Sequence, residues 1–236
     1  MTSLIRAEVD KLRSTRTYRM LALGALALIA AGVTATSLTT SHTGGANPAR
    51  ATLALAVTTE FRHKTITQAV LITPRRTPLL TAKAGTLTVA GLAFGLLATG
   101  AAAAITLPVL GSRHIASHVD AAQLAAIVAG GAVATALAAA LGVGAGAVIR
   151  NQVGAVVTVL GLLYVAEPLL GFIPHAGAAV QTYGLGGLAS GATATTGFPT
   201  SAHLLGQIPA ALVLAAYALV FLVAGAVLLR RRDIAA

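Results

Sequence analysis

After Glu167 the chain runs for 62 residues, positions 168–229, without a formal charge. Four more charge-free stretches precede it, at 20–49, 84–112, 121–149 and 151–166. Charged residues make up 9% of the chain, against roughly 25% in an ordinary soluble domain. Hydrophobic residues make up 56%, and mean hydropathy is +0.85. So few charges, so tightly grouped, cannot cover a water-facing surface. The pattern fits lipid as the solvent. In lipid every backbone polar group must bond within the protein, which leaves helices or closed barrels. Runs such as AAQLAAIVAGGAVATALAAALGVGAGAVI, residues 121–149, are continuously apolar and lack the strict alternation of a barrel strand. The sequence therefore predicts an all-α membrane protein.

A crossing helix needs about 20 apolar residues, and six fit the charge-free stretches. They are expected at about 20–38, 47–61, 84–110, 121–149, 152–173 and 204–229, forming a six-helix transmembrane domain over 20–236. The second is short: about 15 residues make ~22 Å of helix against a ~30 Å hydrocarbon core. It either crosses fully or forms a re-entrant hairpin with the first. Charge placement favours crossing. With six spans and both termini inside, 14 of the 16 basic residues lie on the inner side, leaving only Arg50 and Arg113 outside. Dropping the second span would divide the basic clusters between the two sides, against the positive-inside bias. Arg50 then sits near a span end, where a long side chain reaches the headgroups. The glycine-rich segment 174–203, with Pro174 and Pro199, reads as a large outer loop lying partly on or in the membrane surface.

The same charge map weakens other function classes. A net charge of +10 could suggest nucleic acid, but the basic residues follow the inner membrane face. Only nine aromatic residues, five Phe and four Tyr, are present for readout. Topology and contact with anionic lipid account for them. There is no cysteine, which removes disulfides, thiolate metal sites and thiol nucleophiles. His114 and His118 stand four apart with only Asp120 nearby, short of the three or four ligands of a zinc site. No metal site, no catalytic residue and no enzyme activity is expected of this chain. The first 19 residues carry Glu8 and Asp10 among their basic residues and precede a long apolar run, which does not suit a cleaved signal peptide. Residues 4–18 carry Ile5, Val9, Leu12 and Arg16 at helical spacing, so 1–19 is expected as an amphipathic interfacial helix.

The sizeable inner loop is EFRHKTITQAVLITPRRTPLLTAK, residues 60–83. Thr65 or Thr67 can cap a short helix that Pro74 must stop. Ile66, Ala69 and Val70 share one face of it. Thr77-Pro78 then offers a cap and a first-turn proline for the next helix. A short inner helix with an apolar face suits docking on a soluble partner, and it suits lying on lipid equally well.

This stretch resembles the signature region of ABC-2-type permeases, the membrane subunits of bacterial ATP-driven exporters, in their actinobacterial form. The resemblance rests on Glu60, Phe61, Arg62, Thr65 and Ile66, then Pro74, Arg75 and Arg76, then Ala82 and Lys83. AEVDKLRSTRTY near the N-terminus is similar to the family's N-terminal elbow, and AEPLLGFIP, Ala166–Pro174, to its fifth span. The resemblance implies a cytoplasmic coupling helix between spans 2 and 3, with Glu60, Phe61, Arg62, Thr65, Ile66, Thr67, Val70, Pro74, Arg75 and Arg76 coupling to a separate ABC ATPase subunit. It also implies a second permease copy, in a homo- or heterodimer within the bacterial cell membrane. ATP and Mg would bind the partner, in keeping with the lack of a G-x-x-x-x-G-K phosphate loop here.

Glu167 is the one acid well inside an expected span. A charge at mid-bilayer costs roughly 2.5–3.5 kcal/mol on insertion scales, so the carboxyl must face protein or water, or be protonated. Pro168 is expected to break the helix and free a carbonyl. Glu167 and Pro168 are either an intramembrane gate on the substrate path or a structural kink with a satisfied carboxyl. Small-residue pairs such as Gly91–Gly95 and Gly142–Gly146 permit close helix packing, but in so Ala- and Gly-rich a chain they define no dimer seam. Two further functions compete with export. One is a membrane scaffold of the same fold that transports nothing. The other is an ion-coupled carrier, which would need ionisable groups near the midplane in two related halves.

Overall fold

The computed structural model describes residues 76–112, 119–149, 152–174, 176–194 and 203–232, and these are helical with no strand among them. Helix α1 spans Arg76–Ser112, α2 Ala121–Val148 and α3 Gln152–Gly161. A π turn, Leu162–Ala166, leads into the short α4, Glu167–Gly171. Then come α5, Gly177–Tyr183, α6, Leu185–Ala192, and α7, Gln207–Arg232.

Among the described residues, three helices are long and apolar enough to cross a bilayer: Leu80–Ser112, Ala121–Val148 and Gln207–Leu229. They correspond to the third, fourth and sixth expected spans. The expected interfacial helix at 1–19, the expected spans at 20–38 and 47–61, and the expected coupling helix lie outside the described residues. The local signals at the helix starts are those the backbone needs. Pro78 falls in the first turn of α1, where its missing N–H is no loss. At α2, Asp120 has extended backbone, and its Oδ1 accepts the Gln123 N–H at 2.6 Å.

Close glycine contacts hold the three long helices together. A Cβ on Gly95 would stand 2.8 Å from the Ala132 Cα and 2.9 Å from the Thr135 Cβ, and one on Gly131 would run into the Thr99 methyl. Leu80 and Ala84 of α1 pack with Val143 of α2, and Ala102 and Ala103 with Ile127. Numbers rise along α1 as they fall along α2, so the two helices are antiparallel. Between α2 and α7 the order is the same in both. Gln207 donates from Nε2 to the Ala126 carbonyl at 2.9 Å. A Cβ on Gly144 would stand 2.6 Å from the Phe221 carbonyl carbon, and one on Gly225 would stand 2.7 Å from the Ala147 Cβ. These two helices are parallel. The Arg76 end of α1, the Val148 end of α2 and the Arg232 end of α7 therefore share one end of the bundle.

Buried threonines inside these helices bond to their own backbone. Thr86, Thr99 and Thr135 donate to the carbonyls of Ala82, Gly95 and Gly131 at 2.8, 2.6 and 2.8 Å. These three hydroxyls are satisfied by their own helix, whereas the Thr106 hydroxyl of α1, equally buried, has no hydrogen-bond partner among the described residues. Gly91 and Gly95 are both buried, and Gly95 serves the α1–α2 contact. In α2 it is Gly144, between the two glycines of the 142–146 pair, that meets α7. The small residues serve packing within the chain.

Segment 174–203 differs from the expected large loop. Helices α5 and α6 occupy residues 177–192, and Leu188, Ala189 and Ala192 of α6 are buried. Leu188 and Ala192 pack with Ala134 of α2 and with Ala210 and Leu214 of α7. The glycines that suggested a loop sit where no Cβ fits. One on Gly191 would stand 2.6 Å from the Leu205 carbonyl oxygen, and those on Gly177 and Gly187 would run into the carbonyls of Gly171 and Gln181. Tight packing overrides glycine's cost of about 1 kcal/mol per helical residue.

Candidate functional site

The fifth expected span, 152–173, is one helical run from Gln152 to Gly171 with a π turn at Leu162–Ala166. Pro168 does not break it, contrary to the expectation from sequence. Proline has no N–H to give to the carbonyl four residues back. The helix meets this by widening one turn ahead, where the Glu167 N–H reaches the Leu162 carbonyl five residues back. Such single π turns occur mostly as bulges within α-helices and frequently at functional sites. Pro168 itself falls in the first turn of α4.

The widened turn sets the Glu167 side chain against the start of α6. Its Oε1 accepts the Leu185 N–H, and its Oε2 accepts the Gly186 N–H at 2.9 Å. These are the first two N–H groups of α6, which a helix leaves unsatisfied. The residue before them, Gly184, has the extended backbone of a cap but no side chain to serve as one. Glu167, half-buried and 18 residues earlier, supplies the missing acceptor. Two charge-assisted hydrogen bonds contribute about 1.5–3 kcal/mol each. They act against the cost of holding a carboxylate away from water. A negative group at a helix N-terminus is also favoured by the helix dipole.

The seat is shaped for the carboxylate. A Cβ on Gly184 would stand 2.8 Å from the Glu167 Cδ and 2.6 Å from the Val180 carbonyl oxygen, and one on Gly186 would stand 3.1 Å from Oε2. Gln181 of α5 reaches from Nε2 toward the Gly171 carbonyl at 3.4 Å, and its Oε1 is buried without a partner among the described residues. Tyr217 of α7 donates to the Tyr183 carbonyl at 3.2 Å. Thr182 of α5 bonds the carbonyls of Ala178 at 2.9 Å and His203 at 3.2 Å. α4, α5, α6 and the first half of α7 thus form one polar junction in the half of the bundle away from Arg76, Val148 and Arg232.

Of the expected coupling residues, Arg76 alone is among the described residues, at the far end of α1. Glu60, Phe61, Arg62, Thr65, Ile66, Thr67, Val70, Pro74 and Arg75 lie outside the described residues, as do His114 and His118. Arg76 contributes its backbone to the first turn of α1. Asp120 is engaged as the cap of α2. No group of three His, Asp or Glu side chains suited to a metal ion occurs among the described residues. An open apolar groove runs along α3 and the π turn, lined by Val157, Leu160, Gly161, Tyr164 and Val165. Sequence reasoning identified Glu167 and Pro168 but not their partners. Leu185 and Gly186 are contacted through backbone N–H groups, which leave no residue-type signal. No family model, curated protein or solved structure matches the chain.

Proposed function

We propose that this chain is the membrane-spanning permease subunit of an ABC exporter in a bacterial cell membrane. It crosses the bilayer six times with both termini in the cytosol and pairs with a second permease copy. ATP and Mg bind the separate ATPase subunit, and closure of the ATPases pushes on the segment from Glu60 to Arg76. The observation that carries this reading is the shared bundle end of Arg76, Val148 and Arg232. Arg76, the last residue of the Pro74-Arg75-Arg76 motif, opens α1 at that end. A push on the motif would therefore be delivered along a 37-residue helix that is locked by close glycine contacts to α2, and through α2 to α7. Such a rigid unit with two arrangements is what alternating exposure requires.

The test is co-purification with an ATPase encoded beside this chain. The reading predicts a stable complex whose ATP hydrolysis changes when Arg75 and Arg76 are both replaced by Glu, together with ATP-dependent export from cells or into inverted vesicles. A stable complex without transport would instead identify a scaffold, and no complex at all would remove the ATPase partner.

A further inference from the structure

The apolar part of α1 begins at Leu80, and that of α7 ends at Leu229. Both residues belong to one cluster, in which Leu222, Ala226 and Leu229 of α7 pack against the buried Leu80 and Ala84 of α1. The two helices run antiparallel, so their apolar limits coincide in depth. The residues just beyond them therefore stand in one headgroup layer. Helical spacing carries each packed face on into charge. Arg76 lies four residues before Leu80, on the α1 face that meets α7. Arg230 lies four after Ala226 and Arg232 three after Leu229, at the two edges of the α7 face, with Arg231 on the opposite side. The fold thus brings arginines from the first and last turns of the described bundle to one place.

The acids of the chain are too few to match these charges. With six spans, fourteen basic residues stand on this side against Glu8, Asp10, Glu60 and Asp233, so ten positive charges remain even when every acid is paired. Asp120 and Glu167 lie in the other half of the bundle. Like charges on facing helix surfaces repel, and an anion between them reverses the sign. We propose that the start of α1 and the end of α7 form a binding site for an anionic phospholipid of the inner leaflet, one whose headgroup carries two phosphates. Arg76 takes one phosphate from the α1 side, and Arg230 with Arg232 takes the other from the α7 side. Arginine suits this role because its planar fork gives two parallel N–H bonds to a phosphate. The headgroup thereby holds the last turn of α7 against the first turn of α1. The inference rests on the six-span reading and on neither the ATPase nor the cargo.

The experiment is native mass spectrometry of the full chain released from bilayers of phosphatidylcholine. These are mixed, at equal total charge, with phosphatidylglycerol or with cardiolipin, whose headgroup carries two phosphates. Each arginine near a membrane surface is worth about fivefold in retention of an anionic lipid. The native chain should therefore keep cardiolipin about twentyfold over phosphatidylcholine, and more tightly than phosphatidylglycerol. Arg76→Gln and Arg230→Gln should each lower cardiolipin retention about fivefold and abolish its advantage over phosphatidylglycerol. Arg76→Lys and Arg230→Lys keep the charge and should keep most of the retention, which separates loss of the site from loss of the fold. Arg231→Gln and Lys64→Gln each remove a charge from the same side but outside the site, and should change little. An equal loss from Arg231→Gln and Arg230→Gln overturns the site, since scattered surface charge then explains the retention. So does a native chain that keeps all three lipids alike. Displacement of cardiolipin by millimolar inorganic phosphate overturns the lipid in favour of a free anion. No ATPase enters the experiment, so the lipid site can fail while the exporter reading stands.

Discussion

The Thr99 methyl of α1 lies where a Cβ on Gly131 of α2 would stand. Thr99 cannot simply rotate away, because its hydroxyl bonds the Gly95 carbonyl at 2.6 Å and lies 3.4 Å from the Val128 carbonyl. One threonine thus fixes both the internal bond of its own helix and the spacing to the next.

Gly131→Ala should therefore destabilise the α1–α2 pair by about 1–3 kcal/mol, the usual cost of overpacking. Thr99→Ser removes the colliding methyl and keeps the hydroxyl. The double variant should recover most of the loss, and unfolding in mild detergent with a double-mutant cycle measures this. Additive losses would show that the two residues do not meet.

Gly144→Ala should behave differently. Its Cβ would stand 2.6 Å from the Phe221 carbonyl carbon and 2.7 Å from the Leu222 nitrogen. Backbone cannot be trimmed, so α7 must move. The expected loss is at least that of Gly131→Ala, again in the range of about 1–3 kcal/mol or more. No side-chain change at Phe221 should restore it. Recovery by Phe221→Ala would mean that only the ring stands in the way.

Asp120→Ala should cost about 0.5–2 kcal/mol, the range for loss of a helix N-cap, with faster amide exchange at Gln123 and no change at the far end of α2. Asp120→Asn, which keeps the accepting oxygen, should be close to neutral. A large loss with Asn would point to a role for the charge beyond capping.

The long helices were legible because lipid forces charge out of spans and backbone bonds inward. Asp120 and Arg150 bracket α2 within a few residues, Arg113 directly follows α1, and Arg230 marks the end of α7. The α5–α6 pair was not legible. Gly177, Gly184, Gly186, Gly187 and Gly191 carry the composition of a loop, and only the approach of carbonyls and the Glu167 carboxylate explains them. Glu167 stood out as an acid in an apolar run. Its partners lie 18 and 19 residues later and are backbone groups, so no local pattern announces them. Pro168 predicts a break where the structure has a π turn, because the sequence does not say whether a helix answers a missing bond by breaking or by widening.

The central claim is that the bundle end shared by Arg76, Val148 and Arg232 faces the cytosol. Single cysteines at Pro74 and Arg231, with a third at Ser112 on the opposite end of α1, can be probed in intact cells with a membrane-impermeant thiol reagent. The account predicts labelling at position 112 from outside, and labelling at 74 and 231 only after the membrane is opened. Labelling of position 74 in intact cells, with 112 protected, would contradict it.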